Sequence, residues 1–361
     1  MDSFWQNKRV LITGNTGFKG SWLSIWLKEL NAEVFGYALS PLSTPNMYTA
    51  CKLKKIIPSE MNDIADFENL CKFLKKIRPE IIFHMAAQPL VIESYKNPHS
   101  TLITNIQGTC NLVECLRILN YEHTLINVTT DKVYDNNDDD ISYNEQDKLG
   151  GNDIYSVSKA CSDMITKSYW KSFYNNEKNI HISTARSGNV IGGGDWSENR
   201  LIPDIIRSVE KNTRLEIRSP DATRPWQHVL EPLYGYILLA ESMHMNNEDE
   251  LSSAWNFGPN MHQEQTVESV AEILLDMYDK RDLYSKTPTA TLFKESKLLK
   301  LDCSKAEKKL SWKSILSINE SLKLTHDWYS AFYNSENMYE VTKNQINSYT
   351  EKIHESNKDK I

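Results

Sequence analysis

Tyr155 and Lys159 stand four residues apart, so on a helix both side chains share one face, and an ammonium beside a phenol favours the phenolate. A phenolate is a base able to take a proton from a substrate hydroxyl. On an arbitrary helix this spacing is an ordinary solvated pair, and what precedes it here changes the reading. The run Thr129-Thr130-Asp131-Lys132 closes an apolar strand, and ligands of open α/β sheets bind at that carboxyl edge. Thr130 can donate a hydrogen bond to the same substrate oxygen. Asp131 can give a proton to a leaving hydroxyl if burial raises its pKa, or it can cap a helix or loop, as Asp often does.

A second cluster lies at the start of the chain. Gly14, Gly17 and Gly20 follow the apolar run Val10-Leu11-Ile12-Thr13 at spacing G-x-x-G-x-x-G and lead into an amphipathic stretch. Glycine suits such a loop because a Cβ would keep backbone N–H groups away from a pyrophosphate, whose charge is favourable at a helix N-terminus. The bland alternative is a tight strand-to-helix turn. Dinucleotide folds carry an acidic residue about 20 positions on, for the ribose. The second strand ends Gly36-Tyr37-Ala38-Leu39-Ser40 without one, so local chemistry does not choose between NAD and NADP. The Asp135 to Asp140 run lacks the glycine and distal Glu of a calcium loop and reads as solvated; no metal site is expected. His84, in the apolar run Phe83-His84-Met85, reads as a satisfied core histidine.

These groups need a frame. Strand-like runs at 9–13, 33–38, 81–85, 124–129 and 180–186 alternate with helical patterns at 21–30, 66–76, 101–119 and 156–173. Such alternation implies an α/β fold, a doubly wound parallel sheet with helices on both faces, because parallel neighbours need crossover connections. After 186 the pattern breaks into a smaller, loop-rich region at 187–330, from which a strand near 254–258 returns to the first domain, and 334–361 reads as a polar, weakly ordered tail. The 361 residues, 40% hydrophobic, can bury a sizeable core. A net charge of −7, from 41 Lys plus Arg against 48 Asp plus Glu, excludes broad polyanion binding, so no nucleic acid is expected as partner. No run of 18 apolar residues and no h-region occur, so neither membrane insertion nor export is expected. The six cysteines, without a C-x-x-C pair, read as reduced core thiols.

The glycine loop, Tyr-x-x-x-Lys and the strand order resemble the extended short-chain dehydrogenase/reductases, which implies a Rossmann-type sheet with a smaller C-terminal substrate-binding domain. Longer runs are similar to one branch, the CDP-glucose 4,6-dehydratases: 13–22 (TGNTGFKGSW), 84–91 (HMAAQPLV), 130–135 (TDKVYD), 188–196 (GNVIGGGDW), 200–204 (RLIPD), 224–232 (RPWQHVLEP) and 255–259 (WNFGP). The similarity spans about residues 5 to 330. It implies NAD as cofactor and a redox-neutral dehydration of a nucleotide-activated hexose, CDP-glucose, for deoxysugars of surface polysaccharide such as the O-antigen of lipopolysaccharide. Hydride leaves the sugar C4 and returns to C6 after water is lost.

By this resemblance Tyr155 takes the C4 hydroxyl proton, Lys159 tunes it, Thr130 polarises the C4 oxygen and Asp131 protonates the departing C6 hydroxyl. Lys132 stands where dTDP-glucose dehydratases have Glu, which leaves the C5 base open. The resemblance further implies cofactor contacts from Gly14, Thr16, Gly17, Phe18, Lys19, Gly20, Asp63, Ile64, Ala86, Ala87, Gln88, Asn105, Tyr155 and Lys159, and substrate contacts from Ser94, Asn189 and Arg224. Ile92 replaces an expected Arg. A nucleotide-sugar 4-epimerase and a non-catalytic dinucleotide sensor remain as alternatives. A cytoplasmic homodimer or homotetramer is expected, since 101–119 and 156–173 carry apolar residues beyond one core stripe, among them Tyr169, Trp170 and Phe173.

Overall fold

The computed structural model describes residues 2–136, 141–175, 179–217, 219–246, 249–259, 265–285 and 299–358, so most of the aspartate run at 135–140 lies outside the described residues. Seven parallel strands form the central sheet: β1 (Arg9–Thr13), β2 (Glu33–Ala38), β3 (Ser59–Met61), β4 (Ile81–His84), β5 (His123–Val128), β6 (Ile180–Ser187) and β7 (Ala254–Phe257). Their order is β7-β6-β5-β4-β1-β2-β3. The order reverses between β1 and β4, which opens a crevice beyond their carboxyl ends. Every residue of β4, β5 and β6 is buried, as strands covered on both faces must be. The last edge strand, β3, has three mostly polar residues and carries no period to read.

The principal helices are α1 (Phe18–Glu29), α2 (Phe67–Ile77), α3 (Gly108–Leu119), α4 (Ile154–Tyr169), α5 (Leu201–Lys211), α6 (Leu230–Met245), α7 (Ile318–Tyr333) and α8 (Met338–Lys358). Alternate residues of β1 face opposite layers. Val10 and Ile12 join the core of α1 and α6 with Trp22, Trp26 and Leu233, whereas Leu11 joins that of α2 and α3 with Leu70, Leu74 and Leu112. Register aligns Thr13 with His84, His84 with Asn127, and Ser187 with Phe257, so the loops that follow β1, β4, β5 and β6 meet along one edge.

Four expectations are corrected. Residues 230–245 are not loop: they form α6, buried on nearly every side against the sheet, and a helix without a polar face shows no amphipathic period. The supposed tail is α8, which seats Met338, Ile346, Tyr349 and Ile353 through 342 and 345 on one stripe thin enough to vanish among Asn, Gln and Lys. Cys71 and Cys115 are joined by a disulfide, with Cα atoms 5.3 Å apart. They lie 44 residues apart on α2 and α3, and only the packing of those helices brings them together; Cys51, Cys110, Cys161 and Cys303 are free. Of the three aromatics expected on an outer face, Tyr169 and Trp170 pack inward against the α2–α3 core, and Phe173 alone is exposed.

Candidate active site

The glycine loop is built around contacts no side chain could make. Gly14 has φ +76°, and a Cβ there would lie 2.7 Å from the Ala86 nitrogen; one on Gly20 would lie 2.2 Å from the Gly14 oxygen. Gly17 differs. It is exposed, it precedes the first turn of α1 with no side-chain cap, and a Cβ on it would meet only the Gly14 oxygen, at 3.3 Å. The space before the α1 N-terminus is therefore clear, and its uncapped amides suit a pyrophosphate. Thr16 donates its hydroxyl to Leu39 O at 2.8 Å, and Phe18 packs toward Gly192. This cradle fits a dinucleotide.

Around it the expected cofactor residues fall into two roles. Met85 and Ala86 donate their amides to Thr13 Oγ1, 3.1 Å each, which fixes the 85–87 turn over the loop. Asp63 Oδ1 accepts the Ala65 amide at 2.9 Å, while Asn111 donates to Ile64 O and Ala65 O, holding that segment at the end of β3. Gln88 and Asn105 brace the site: the Gln88 amide donates to Asn105 Oδ1 at 2.8 Å, and Asn105 Nδ2 donates to Gln88 O and to Ser158 Oγ. A π-turn at Ile103–Gln107 aims Asn105 into this position.

Lys19 does something the loop motif does not announce. Its ammonium donates to Ser187 Oγ at 3.0 Å and Tyr236 OH at 2.9 Å, so its side chain ties the loop to the end of β6 and to α6. Burial brings its pKa down to about 7, helped by Lys159 and Arg200 and opposed by Asp131. His84 is the core histidine expected, between Thr13 and Thr109 hydroxyls at 2.8 and 3.2 Å, and burial takes its pKa to about 3.

Asp153 caps α4 by accepting the Ser156 amide at 2.9 Å, and Tyr155 and Lys159 both lie buried along that helix. Tyr155 lies close enough to Thr130 for that side chain to lower its pKa. The Thr130 hydroxyl donates to Asp131 Oδ1 at 2.9 Å, and Asp131, 3% exposed, sits where a Cβ on Gly188 would come within 2.9 Å of Oδ2. Acid, hydroxyl and phenol thus lie in one buried cluster. Thr130, not Asp131, caps the following turn at Asp131–Val133, so capping does not explain the aspartate.

Several groups act on the phenol. Burial pushes Tyr155 up to about 12; the Thr130 side chain and the Arg200 charge pull it back, and Asp131 and Asp153 add to the rise. Lys159 follows one turn along α4. Its ammonium donates to Val128 O at 2.8 Å, and burial lowers its pKa to about 8 against the pull of Asp163. One cation that pulls the Tyr155 pKa down is Arg200, which precedes α5, is paired with Asp195 at 3.2 Å and is not singled out by the RLIPD run in which it lies.

The substrate residues divide. Ser94 is fully buried and donates its hydroxyl to Val91 O of its own helix. Asn189 and Arg224 are half-buried on neighbouring segments, with the Gln227 amide donating to Asn189 O and Arg224 paired in register with Gln265. Lys132 is half-buried on the same turn as Asp131. Among the described residues no group of His, Cys, Asp or Glu could hold a metal ion.

A parallel sheet with a glycine cradle at its switch point and a buried Tyr-x-x-x-Lys helix beside Thr-Asp defines a Rossmann-type protein of the extended short-chain dehydrogenase/reductase class. The family model described as GDP-mannose 4,6 dehydratase matches residues 11–325, and the chain belongs to that family. It is 41% identical over 351 residues to the CDP-glucose 4,6-dehydratase of Salmonella typhimurium, covering 96% of this chain and 97% of that one. Among solved structures, a dTDP-glucose 4,6-dehydratase from Streptomyces venezuelae matches with a TM-score of 0.77 at 22% identity, over 92% of this chain and 99% of that one. A UDP-glucose 4-epimerase from Thermotoga maritima matches with a TM-score of 0.75 at 22% identity, over 90% and 99%. Dehydratase and epimerase share this fold, so the fold does not choose between them.

Proposed function

We propose that the chain is an NAD-dependent, redox-neutral nucleotide-sugar 4,6-dehydratase that converts CDP-D-glucose to CDP-4-dehydro-6-deoxy-D-glucose. The carrying observation is the buried Asp131 carboxyl group, bonded to the Thr130 hydroxyl at 2.9 Å and close enough to Tyr155 that both residues act on the phenol. An epimerase has no leaving hydroxyl to protonate and no use for that acid. CDP as the nucleotide rests on the 41% identity to the Salmonella enzyme, against 24% to its dTDP-glucose counterpart from the same organism.

Bound NAD supplies the site that accepts hydride from the sugar and gives it back. It would lie on Gly14, Gly17 and Gly20, with Asp63 and Ile64 on its adenosine side; NAD over NADP is supported by the similar dTDP-glucose 4,6-dehydratases that were solved with NAD. Tyr155 takes the C4 hydroxyl proton while Thr130 holds the oxygen; the C5 proton, acidified by the C4 ketone, is then removed by a base left open here, and Asp131 gives its proton to the C6 hydroxyl, which leaves as water. Lys132 stays in the catalytic set by its place in the turn, with no step assigned. Asn189, Arg224 and Arg200 suit the diphosphate, where guanidinium and amide donors match phosphate oxygens. In this reading 1–186, joined by β7, holds the cofactor, and 187–330 mostly holds the sugar nucleotide.

Incubation with CDP-, dTDP-, GDP- and UDP-hexoses, following the 4-keto product, tests the assignment. Preference for GDP-mannose or dTDP-glucose refutes CDP-glucose. We further infer a cytoplasmic homodimer, able to pair into a tetramer, that supplies deoxysugars for surface polysaccharide. Ile118 on α3 and Val157 and Met164 on α4 lie exposed together with Phe173 beyond it, an apolar face that a second copy would cover. Sedimentation as a monomer at micromolar concentration refutes the dimer.

A further inference from the structure

Behind the acid and the base, one buried guanidinium touches both of the elements that carry them. Arg186, next to last in β6, donates from Nε and Nη2 to Asp163 Oδ2 and Oδ1 at 2.9 and 2.8 Å, and the two side chains are 3% and 1% exposed. Asp163 follows Lys159 by one helical turn and Tyr155 by two on α4, and it accepts the Thr129 hydroxyl at 3.2 Å. From Nη1, Arg186 donates to Tyr134 OH at 2.8 Å, and its guanidinium lies 5.0 Å from the centre of that ring. Tyr134 directly follows the turn Asp131–Val133, and its own hydroxyl donates to Asn256 Oδ1 of β7 at 2.7 Å.

Buried ion pairs contribute little net stability compared with apolar residues of the same volume. What a guanidinium does that an apolar residue cannot is hold several acceptors at fixed angles, because its five N–H groups lie in one rigid plane. Here two of them grip the helix of the base and a third grips the turn of the acid. We propose that Arg186 is the positioning residue of this site, a clamp whose Asp163 arm holds Tyr155 and, through Thr129, the neighbouring Thr130, and whose Tyr134 arm holds the turn that carries Asp131, so that one side chain sets the separation of base and acid. The inference rests on the roles given to Tyr155 and Asp131 above. It deepens that reading, since the two arms serve different half-reactions: removal of hydride from C4 needs the helix arm, and loss of the C6 hydroxyl needs the turn arm.

The experiment uses the full-length protein with NAD. Tyr134→Phe cuts the turn arm and leaves the Arg186–Asp163 pair intact. Backbone hydrogen exchange should then rise at 131–134 and stay at the wild-type level at 129–130 and 154–163. With CDP-glucose, kcat should fall on the order of 10- to 100-fold, the cost of a small misplacement of a catalytic group. KM should hold within about twofold, because binding is untouched. Absorbance from reduced cofactor should appear at the wild-type rate and persist. Arg186→Lys keeps the charge and loses the fork, so both segments should exchange faster and both phases should slow. Should that variant fail to fold, Tyr134→Phe decides alone. Unchanged exchange in Tyr134→Phe, or a raised KM with constant kcat, overturns the clamp. If the wild-type protein turns over no nucleotide hexose, the functional reading falls and the exchange pattern still decides whether Arg186 couples the two elements.

Discussion

Replacing Asp131 by Asn separates a dehydratase from other uses of this fold. Asp131 Oδ1 accepts the Thr130 hydroxyl at 2.9 Å, and Oδ2 lies against the Gly188 backbone in a space that a Cβ would fill. Asparagine matches that shape and keeps an oxygen for Thr130, but has no acidic proton to give. Because Thr130 caps the turn by accepting the Lys132 amide, no cap is lost, and the stability change should stay near the about 1 kcal/mol of one weakened hydrogen bond. Removal of a general acid costs roughly 100- to 10,000-fold. At about 1.36 kcal/mol per tenfold, that is roughly 2.7 to 5.4 kcal/mol on elimination alone. In a single turnover with CDP-glucose, reduced cofactor should appear at the wild-type rate and then decay slower by that factor, leaving a 4-keto-hexose that still bears its C6 oxygen. Equal slowing of both phases would mean that Asp131 orients the sugar; normal kinetics would remove it from catalysis altogether.

Tyr155→Phe should keep the fold and cofactor binding but lose about 100- to 10,000-fold in turnover, and a variant within a few-fold of wild type rules out Tyr155 as base. Gly17→Ala, with nothing but the Gly14 oxygen near its new Cβ, should leave the melting temperature of the cofactor-free protein unchanged and weaken NAD in a fluorescence titration. Gly14→Ala, at φ +76° and 2.7 Å from the Ala86 nitrogen, should lower that melting temperature as well. Glu231 is fully buried, accepts the Ile315 and Leu316 amides and the Tyr349 hydroxyl, and is pushed by burial from 4.5 up to about 7. Its folded pKa exceeds its unfolded one, so the unfolded chain sheds a proton that the folded protein keeps. Stability is therefore full below 4.5 and declines as pH rises toward about 7, by about 3 kcal/mol at about 1.36 kcal/mol per pH unit. Glu231→Gln should abolish that decline in urea midpoints compared at about pH 5 and about pH 8, and an undiminished decline refutes the assignment.

Local pattern alone placed β1, β2, β7 and the helices around 66–76, 101–119 and 156–173 within a few residues, because a strand buried on both faces and a helix with one apolar stripe write their periods into consecutive residues. The glycine loop, Tyr155 with Lys159 and Thr130 with Asp131 were legible for the same reason: each is a short motif whose chemistry depends on neighbours within one turn. Tertiary structure decided the rest. Arg200 brings its charge to bear on Tyr155, Lys19 reaches Ser187 and Tyr236, Arg186 joins Asp163 to Tyr134, and Cys71 meets Cys115, each across dozens of residues. Helix α6 and helix α8 were hidden in opposite ways, one apolar on nearly every side and the other on a single thin stripe. Periodicity reports the contrast between the two sides of one element, whereas a contact between elements depends on the path of the whole chain, and no local spacing encodes it.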